Sequence, residues 1–409
     1  MRSLLRGATM RGAIYWFAVA VFLWFGQMVS SAELVIDGVP IPDDAHVSAA
    51  PQSASETQKR LLGAWVGAWD NYWRHILIVE DIRVDGEARV VWANGDSPGD
   101  GPCGGVFVRE WSREEGTVSG DTLTLADDIA TYKLTAADML LATFNCFQPH
   151  FQARMSRIEL AALTRPGATI NWSDELEFLD TDLTEDGKRV RLEVVLFKPK
   201  GSGPFPLLVF NHGRIYRGTP ASLTRPESHP ELAEFFLEKG WMVAFPQRRG
   251  RGKSDGLHDE GLEADAAKGY SYDPGRSLPG AERALNDIKA AIAALQRRPD
   301  VAGKRLLIGG SSGGGILSIT YAGLHPQQIA GVINFVGGWV GERCRTASEI
   351  NGALFERGAK YDRATLWLYG RGDRTFSIAH SRSHTRPLQR RAARESLSNL
   401  TFPAGMVTT

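Results

Sequence analysis

The sequence predicts two unlike units in series: a small antiparallel β-barrel-like domain, then an α/β domain built on a doubly wound, mostly parallel sheet. Three observations carry this. From about residue 60 to 165, short strand-like runs separated by turn formers return roughly every ten residues. Arg165-Pro166-Gly167 then breaks the pattern. Beyond it, apolar strand-like runs alternate with helical ones, as strand–helix–strand units require. A chain of 409 residues has room for two or three such domains. With 47 basic and 47 acidic residues it carries no net field to attract nucleic acid.

Residues 1–32 stand apart. Arg2, Arg6 and Arg11 precede the apolar run AIYWFAVAVFLWFG (13–26), and QMVSSA offers Ser30 and Ala32 as small residues before a cut. This describes a secretory signal peptide cleaved after Ala32. The run is short for a membrane span, so an uncleaved N-terminal segment is the one expected route to a membrane. Cleavage removes three arginines and no acids, leaving 44 basic against 47 acidic residues, a charge of −3. The chain is then expected in the periplasm or outside the cell. Residues 33–59, rich in Pro, Ala, Ser and Asp, read as a linker.

The strand-like runs of the first domain (60–165) are HILIVEDIRV (75–84), ARVVWAN (88–94), GGVFVREW (104–111), DTLTLA (121–126), ATYKLT (130–135) and MLLATFN (139–145). LGAWVGAW (62–69) resembles the Gly-x-Trp opening of lipocalin-like barrels. Trp65 and Trp69 read as core residues, as do the lone histidines His75 and His150. The three cysteines show no metal-ligand spacing. In an oxidising compartment Cys103 and Cys146 are placed to pair, leaving Cys344 free.

The second domain (166–384) opens with the strands RVRLEVVLFKP (189–199) and PLLVFNHG (206–213), the latter a near-continuous apolar run of the buried kind. ELAEFFLEKG (231–240) is a helix closed by Gly240, and WMVAFPQ (241–247) a strand. A long amphipathic helix covers 280–298. Strand KRLLIGG and helix GGILSITYAGLH follow, then strands AGVINFVGG (330–338) and ATLWLYG (364–370).

Three stretches bear chemistry. In KRLLIGGSSGGGILS (304–318), G-x-S-x-G fits twice, centred on Ser311 or on Ser312. A nucleophilic serine on a strand-to-helix turn needs small residues two places either side, and the helix N-terminus behind it favours negative charge. The glycines lack the following Lys of a phosphate-binding loop, and a plain Gly/Ser turn is the alternative. FNHGR (210–214) ends an apolar strand and can aim the backbone N–H of Arg214 at an oxyanion, beside the N–H of Gly313 after the nucleophile. His212, on that loop and about 100 residues before the serines, reads as structural. LWLYGRGD delivers Asp373 after a later strand, where an acid would orient a base.

Taken in order, FNHGR, AFPQRRGRGKSDG (244–256), the Gly-Ser turn and LWLYGRGD resemble the α/β-hydrolase superfamily, nearest its dienelactone-hydrolase-like and prolyl-oligopeptidase-like branches, over about 175–380. The resemblance implies hydrolysis of an ester, lactone or peptide bond in a small-molecule or peptide acyl substrate. It implies a Ser-Asp-His triad and neither metal nor organic cofactor. The landmarks Pro299-Asp300-Val301 and His325-Pro326 align without gaps if Ser312 is the nucleophile, while the string Gly309-Gly310-Ser311-Ser312 favours Ser311. Loops 217–230 and 268–275 are expected over the site. Arg214, Arg217, Arg248 and Arg249 either attract an acidic substrate or pair with nearby acids.

The triad histidine is the missing part. His380 and His384 follow Asp373 by only 7 and 11 residues, on an expected helix, and read as exposed helix residues. Residues 385–409 contain no histidine. From 382 onward the chain has five arginines and one acid, with Pro387 inside the expected helix. This tail reads as aberrant, the product of a shifted frame: with suitable codons, another frame gives a strand FEFDVP and a histidine where the resemblance places one. Two readings follow, an exported serine hydrolase and a non-catalytic exported binding protein on a hydrolase-like scaffold. A weaker third is an envelope protein anchored by its apolar start.

Overall fold

A computed structural model describes residues 33–97, 108–145, 151–168, 170–172, 175–215, 223–265, 268–303, 306–370 and 372–389. The expected signal peptide, the pairing of Cys103 with Cys146, His150, Arg217 and the tail beyond 389 lie outside them.

The stretch expected as a linker begins instead with a hairpin, β1 (Glu33–Ile36) and β2 (Val39–Pro42), joined by Asp37-Gly38. Both turn residues have positive φ, 51° and 85°, as a tight two-residue turn demands. Val39 and Ile41 are fully buried and pack with Ile76, Ile78 and Val91 on the outside of the barrel. Burying those two side chains is worth about 1.5–3 kcal/mol each, enough to fix a short edge hairpin that tolerates Pro40 and Pro42. A short helix, Glu56–Leu61, follows, with Ser55 and Gln58 forming a reciprocal cap.

Eight antiparallel strands then close into a barrel: β3 (Gly63–Trp69), β4 (Trp73–Ile82), β5 (Glu87–Asn94), β6 (Glu110–Ser119), β7 (Thr122–Leu125), β8 (Ala130–Leu134), β9 (Leu140–Phe144) and β10 (Phe151–Ile158). The closing pair is β10 with β3. Closure removes every edge of the sheet. Alternate residues point inward, so Trp65, Trp69, Trp73, Leu77, Tyr132 and Met155 fill the interior and are fully buried. Trp65 and Trp69 are core residues, as expected. His75 is too: its Nδ1–H donates to Ala93 O and Asn94 Oδ1 (both 2.9 Å), and Tyr132 O–H donates to its Nε2 (2.9 Å). β6 overlaps the predicted 104–111 at Glu110 and Trp111 and runs on to Ser119, residues 104–107 lying outside the described ones, and it alternates intermediate with exposed positions.

The second unit is a seven-stranded sheet in the order β11-β12-β14-β13-β15-β16-β17. Its strands are β11 (Leu176–Glu185), β12 (Lys188–Phe197), β13 (Leu207–Asn211), β14 (Met242–Pro246), β15 (Leu306–Ser311), β16 (Ile329–Phe335) and β17 (Thr365–Leu368). From β14 to β17 all neighbours are parallel, and the β11–β12 edge is antiparallel. Helices cover both faces: Pro274–Gln296, Gly313–Leu324 and Ala347–Gly358 on one, Pro230–Leu237 on the other. The long helix begins six residues before its predicted start, because Pro274 takes the first helical position, where no N–H is needed. The architecture is that of an α/β hydrolase, preceded by an eight-stranded barrel.

Candidate active site at the carboxyl ends of the strands

Five parallel strands deliver their following loops to one end of the sheet, the end where open α/β sheets place their sites. β15 runs out at Ser311, and Ser312 makes the turn into helix Gly313–Leu324. Ser312 has φ 50° and ψ −119°, a conformation L residues rarely adopt. Its neighbours hold it there: its N–H donates to Phe335 O (2.9 Å), and its carbonyl accepts from Gly338 N–H (3.1 Å).

The glycines two places either side explain why the turn closes. A Cβ on Gly314 would lie 2.0 Å from Asn211 O, and one on Gly310 would lie 2.5 Å from Gly314 C. Strand β13 and the helix therefore meet backbone to backbone. Gly310-Ser312-Gly314 is the fit that this packing demands, with Ser312 at the turn and Ser311 still paired in β15 opposite Phe335.

The loop after β13 lies against this turn. A Cβ built on Gly213 would come within 3.4 Å of Ser312 Cβ, and one on Gly313 within 2.9 Å of Arg214 Cγ. Arg248 holds the loop from behind. Its Nη1 donates to His212 O (2.9 Å) and its Nη2 to Gly213 O (3.0 Å), while Glu260 takes its Nε–H. His212 Nδ1–H also donates to Gly213 O (2.8 Å), and its Nε2 accepts from Arg248 N–H (3.1 Å). A trans peptide is planar, so a Gly213 carbonyl locked by two donors turns the Arg214 N–H the opposite way. The first N–H groups of a helix have no intrahelical acceptor, and Gly313 is the first residue of its helix.

These bonds also settle what His212 is. It is buried, both ring nitrogens are engaged, and burial, then the charges of Arg248 and Arg251, hold it well below its usual pKa. It is a neutral structural histidine. The arginines behave likewise: Arg248 pairs with Glu260, and Arg249 with Asp287 (2.7 Å) and Glu185 (3.3 Å). Burial alone would raise the Glu260 carboxyl, but Arg248 beside it brings it down to about 2. Burial raises Asp287 to about 6, with Arg249 opposing. Arg214 lies between the rings of Tyr270 (3.5 Å) and Trp339 (4.2 Å), and burial lowers it to about 10. Its guanidinium donates to Trp339 O (2.7 Å) and Glu260 O (3.1 Å). Of the two readings the sequence offered for Arg248, attracting an acidic substrate or pairing with a nearby acid, the structure shows the pairing, and sequence reasoning missed only its hold on the loop. The signal was there: arginines directly after a wholly apolar strand have no water to face.

Asp373 sits on the loop after β17. Its Oδ1 accepts the N–H groups of Thr375 and Phe376 (both 2.8 Å), so the carboxylate is fixed. Its Oδ2 is buried and has no hydrogen-bond partner among the described residues. His380 and His384 lie on helix Ile378–Gln389 and are half-buried, not exposed. They pack on helix Ala347–Gly358, His380 Nε2 meeting Asn351 Nδ2 (3.0 Å) and His384 stacking on Phe355. That helix, unpredicted, gives them their apolar neighbour. Cys344 is free and half-buried, 3.1 Å from Thr346 Oγ1. Of the expected loops over the site, residues 217–222 lie outside the described residues.

The profile of the family described as X-Pro dipeptidyl-peptidase (S15 family) matches residues 186–367, from the antiparallel edge of the sheet into β17. No curated protein matches the chain significantly. Among solved structures, the chain is similar to Est1E from Butyrivibrio proteoclasticus, solved with ferulic acid bound, at 17% identity and a TM-score of 0.37, over 54% of this chain and 87% of that one. Acetyl xylan esterase 1 from Thermoanaerobacterium sp. JW/SL YS485 is similar at 16% identity and a TM-score of 0.36, over 54% and 79%. A prolyl endopeptidase is similar at 17% identity and a TM-score of 0.39, over 81% of this chain and 47% of its own. These likenesses are distant. The family match covers residues 186–367, less than half of the chain; set on a sheet of this order with a Gly-Ser-Gly turn at its centre, it supports a serine hydrolase on an α/β-hydrolase fold.

Proposed function

We propose that Ser312 is the nucleophile of an exported acyl hydrolase, with the N–H groups of Arg214 and Gly313 as oxyanion hole and Asp373 as the acid that orients a histidine. The strained backbone of Ser312 between Gly310 and Gly314 carries this reading. Ser312 Oγ would attack the acyl carbon of an ester, lactone or peptide and lose its proton to the base. The carbonyl oxygen would become an anion facing the two N–H groups. The leaving alcohol or amine would depart protonated, and water would then release the acid and restore the serine.

The base is the histidine that residues 385–409 carry in a shifted frame. The buried, unpartnered Oδ2 of Asp373 supports this, since an imidazole N–H is its natural donor. Resequencing the 3′ end of the gene tests it: DNA that reads unambiguously in the present frame rules out a sequencing error. Removing one triad member costs several orders of magnitude in kcat, so a chain lacking the base would be nearly inactive.

The same lack favours a second reading, a non-catalytic exported binding protein. A fluorophosphonate separates the two. Labelling lost in Ser312→Ala and kept in Ser311→Ala supports the hydrolase; no labelling of a chain with the histidine restored sinks it. Export rests on residues 1–32 alone, and cell fractionation with N-terminal sequencing of the mature chain, expected to start at Glu33, tests it. Among the described residues no helix is long and apolar enough to cross a membrane.

A further inference from the structure

The barrel meets the second domain through Arg154 of β10, which pairs with Glu175 (3.2 Å) and Glu234 (3.6 Å), and through the turn between β3 and β4. The turn between β3 and β4 holds Asp70 and Asn71 at φ 46° and 62°. Asp70 forms an ion pair with Arg225, whose guanidinium also lies 4.2 Å above the Phe151 ring of β10. Asn71 Nδ2 donates to Ser228 Oγ (3.1 Å). Arg225 and Ser228 belong to a strap, 224–229, which leads into helix Pro230–Leu237.

Between those two anchors stands Glu227, which faces the other way. Its backbone N–H donates to Gln247 Oε1 and its carbonyl accepts from Gln247 Nε2, both at 2.8 Å. Gln247 directly precedes Arg248. The Glu227 carboxylate accepts from Gly213 N–H and from Arg251 Nη2, both at 3.4 Å. Pro226 and Pro230 fix φ on either side, so the strap transmits a push instead of absorbing it.

We propose that the β3–β4 turn of the barrel is a positioning element of the hydrolase site, holding the loop of His212, Gly213 and Arg214 in place through Arg225, Glu227 and Ser228. This rests on the proposed function only in calling that loop the oxyanion loop. The barrel, filled with side chains to native density, is a rigid abutment for it.

Hydrogen exchange by mass spectrometry on the full chain tests the coupling without needing activity. Glu227→Ala removes the carboxylate but keeps both backbone bonds to Gln247. It is expected to speed exchange in 207–215 about tenfold, with the barrel strands unchanged. Glu227→Gln, which keeps an oxygen acceptor, is expected to restore much of the protection. Arg225→Gln should loosen 223–229 and 207–215 together. Unchanged exchange in 207–215, in Glu227→Ala or while 223–229 loosens in Arg225→Gln, overturns the proposal. If Arg225→Gln fails to fold, the Glu227 pair still decides. With fluorophosphonate, Glu227→Ala in the chain with the histidine restored is expected to lower the maximal labelling rate about tenfold at unchanged half-saturation, a split that loss of global stability does not produce. A chain with the histidine restored that never labels counts against the hydrolase reading, while exchange still judges the strap.

Discussion

Among the described residues each unit of this protein buries one histidine among polar partners, and the two are built to opposite ends. His75, inside the barrel, has the tautomer with Nδ1–H, and its neighbours are neutral: Asn94, Tyr132 and, through them, the indole N–H groups of Trp69 and Trp92. Burial lowers its pKa to about 3. His212 has the same tautomer but lies among guanidinium groups. In the barrel the network satisfies polar atoms in a dry core. Behind the loop of His212, Gly213 and Arg214 it sets the direction of a peptide plane. A buried histidine therefore says little by itself; the charge of its partners and the carbonyls they share tell scaffold from site.

Arg248→Met breaks the comparison most strongly. It leaves Glu260, with only 4% of its side chain exposed, as a buried carboxylate without its cation, so unfolding should become easier by about 3–5 kcal/mol. Any labelling of Ser312 should fall more than stability alone explains. Denaturant unfolding and labelling rates, measured on the same preparation, check both. Next comes a pair of glycines. Gly314→Ala must push Asn211 O away from 2.0 Å and is expected to cost at least the 1–3 kcal/mol typical of overpacking. Gly67→Ala in β3 meets Arg154 O and Met155 Cγ at 2.9 Å, part of it a flexible side chain, and should cost less. Equal costs by thermal unfolding would erase the distinction between the two interiors.

The smallest effect is a slope. His75 stays neutral in the folded barrel while an unfolded chain binds a proton below about pH 6.5. Stability should thus fall as pH falls from about 6.5 towards 3, by about 1.4 kcal/mol per pH unit for this residue. Replacing it, as in His75→Gln, should flatten that dependence in urea titrations between pH 7 and 5, whatever it does to stability at pH 7. His212, depressed in the same direction, adds a slope of its own that the barrel variant leaves intact.

Much of this was legible in the residues. The parallel strands β13 to β17 announced themselves as apolar runs, and the glycines around Ser312 marked the turn. The Asp37-Gly38 hairpin was equally written in the sequence but disguised by Pro40, Pro42 and two exposed neighbours. β6 hid for another reason: EWSREEGTVS carries its polar residues on a strand with no dry face. β11 and helix Ala347–Gly358 are half-buried segments whose apolar positions count only once a partner surface is known. The hold of Arg248 on Gly213 joins residues 35 apart, and no local pattern encodes a carbonyl's direction.

β10 enters the barrel at Phe151, beside the gripping turn, and leaves at Ile158, paired with Ala64 at the other end of β3. From there the chain turns back along the outside of the barrel, Leu163 and Ile170 buried against it and Trp172 over Arg74, so it nears the sheet on the side of the gripping turn. On that side Arg154 of β10 also pairs with Glu175 and Glu234. A body held at several points along one side is braced, and removing a single contact leaves the others to carry the load.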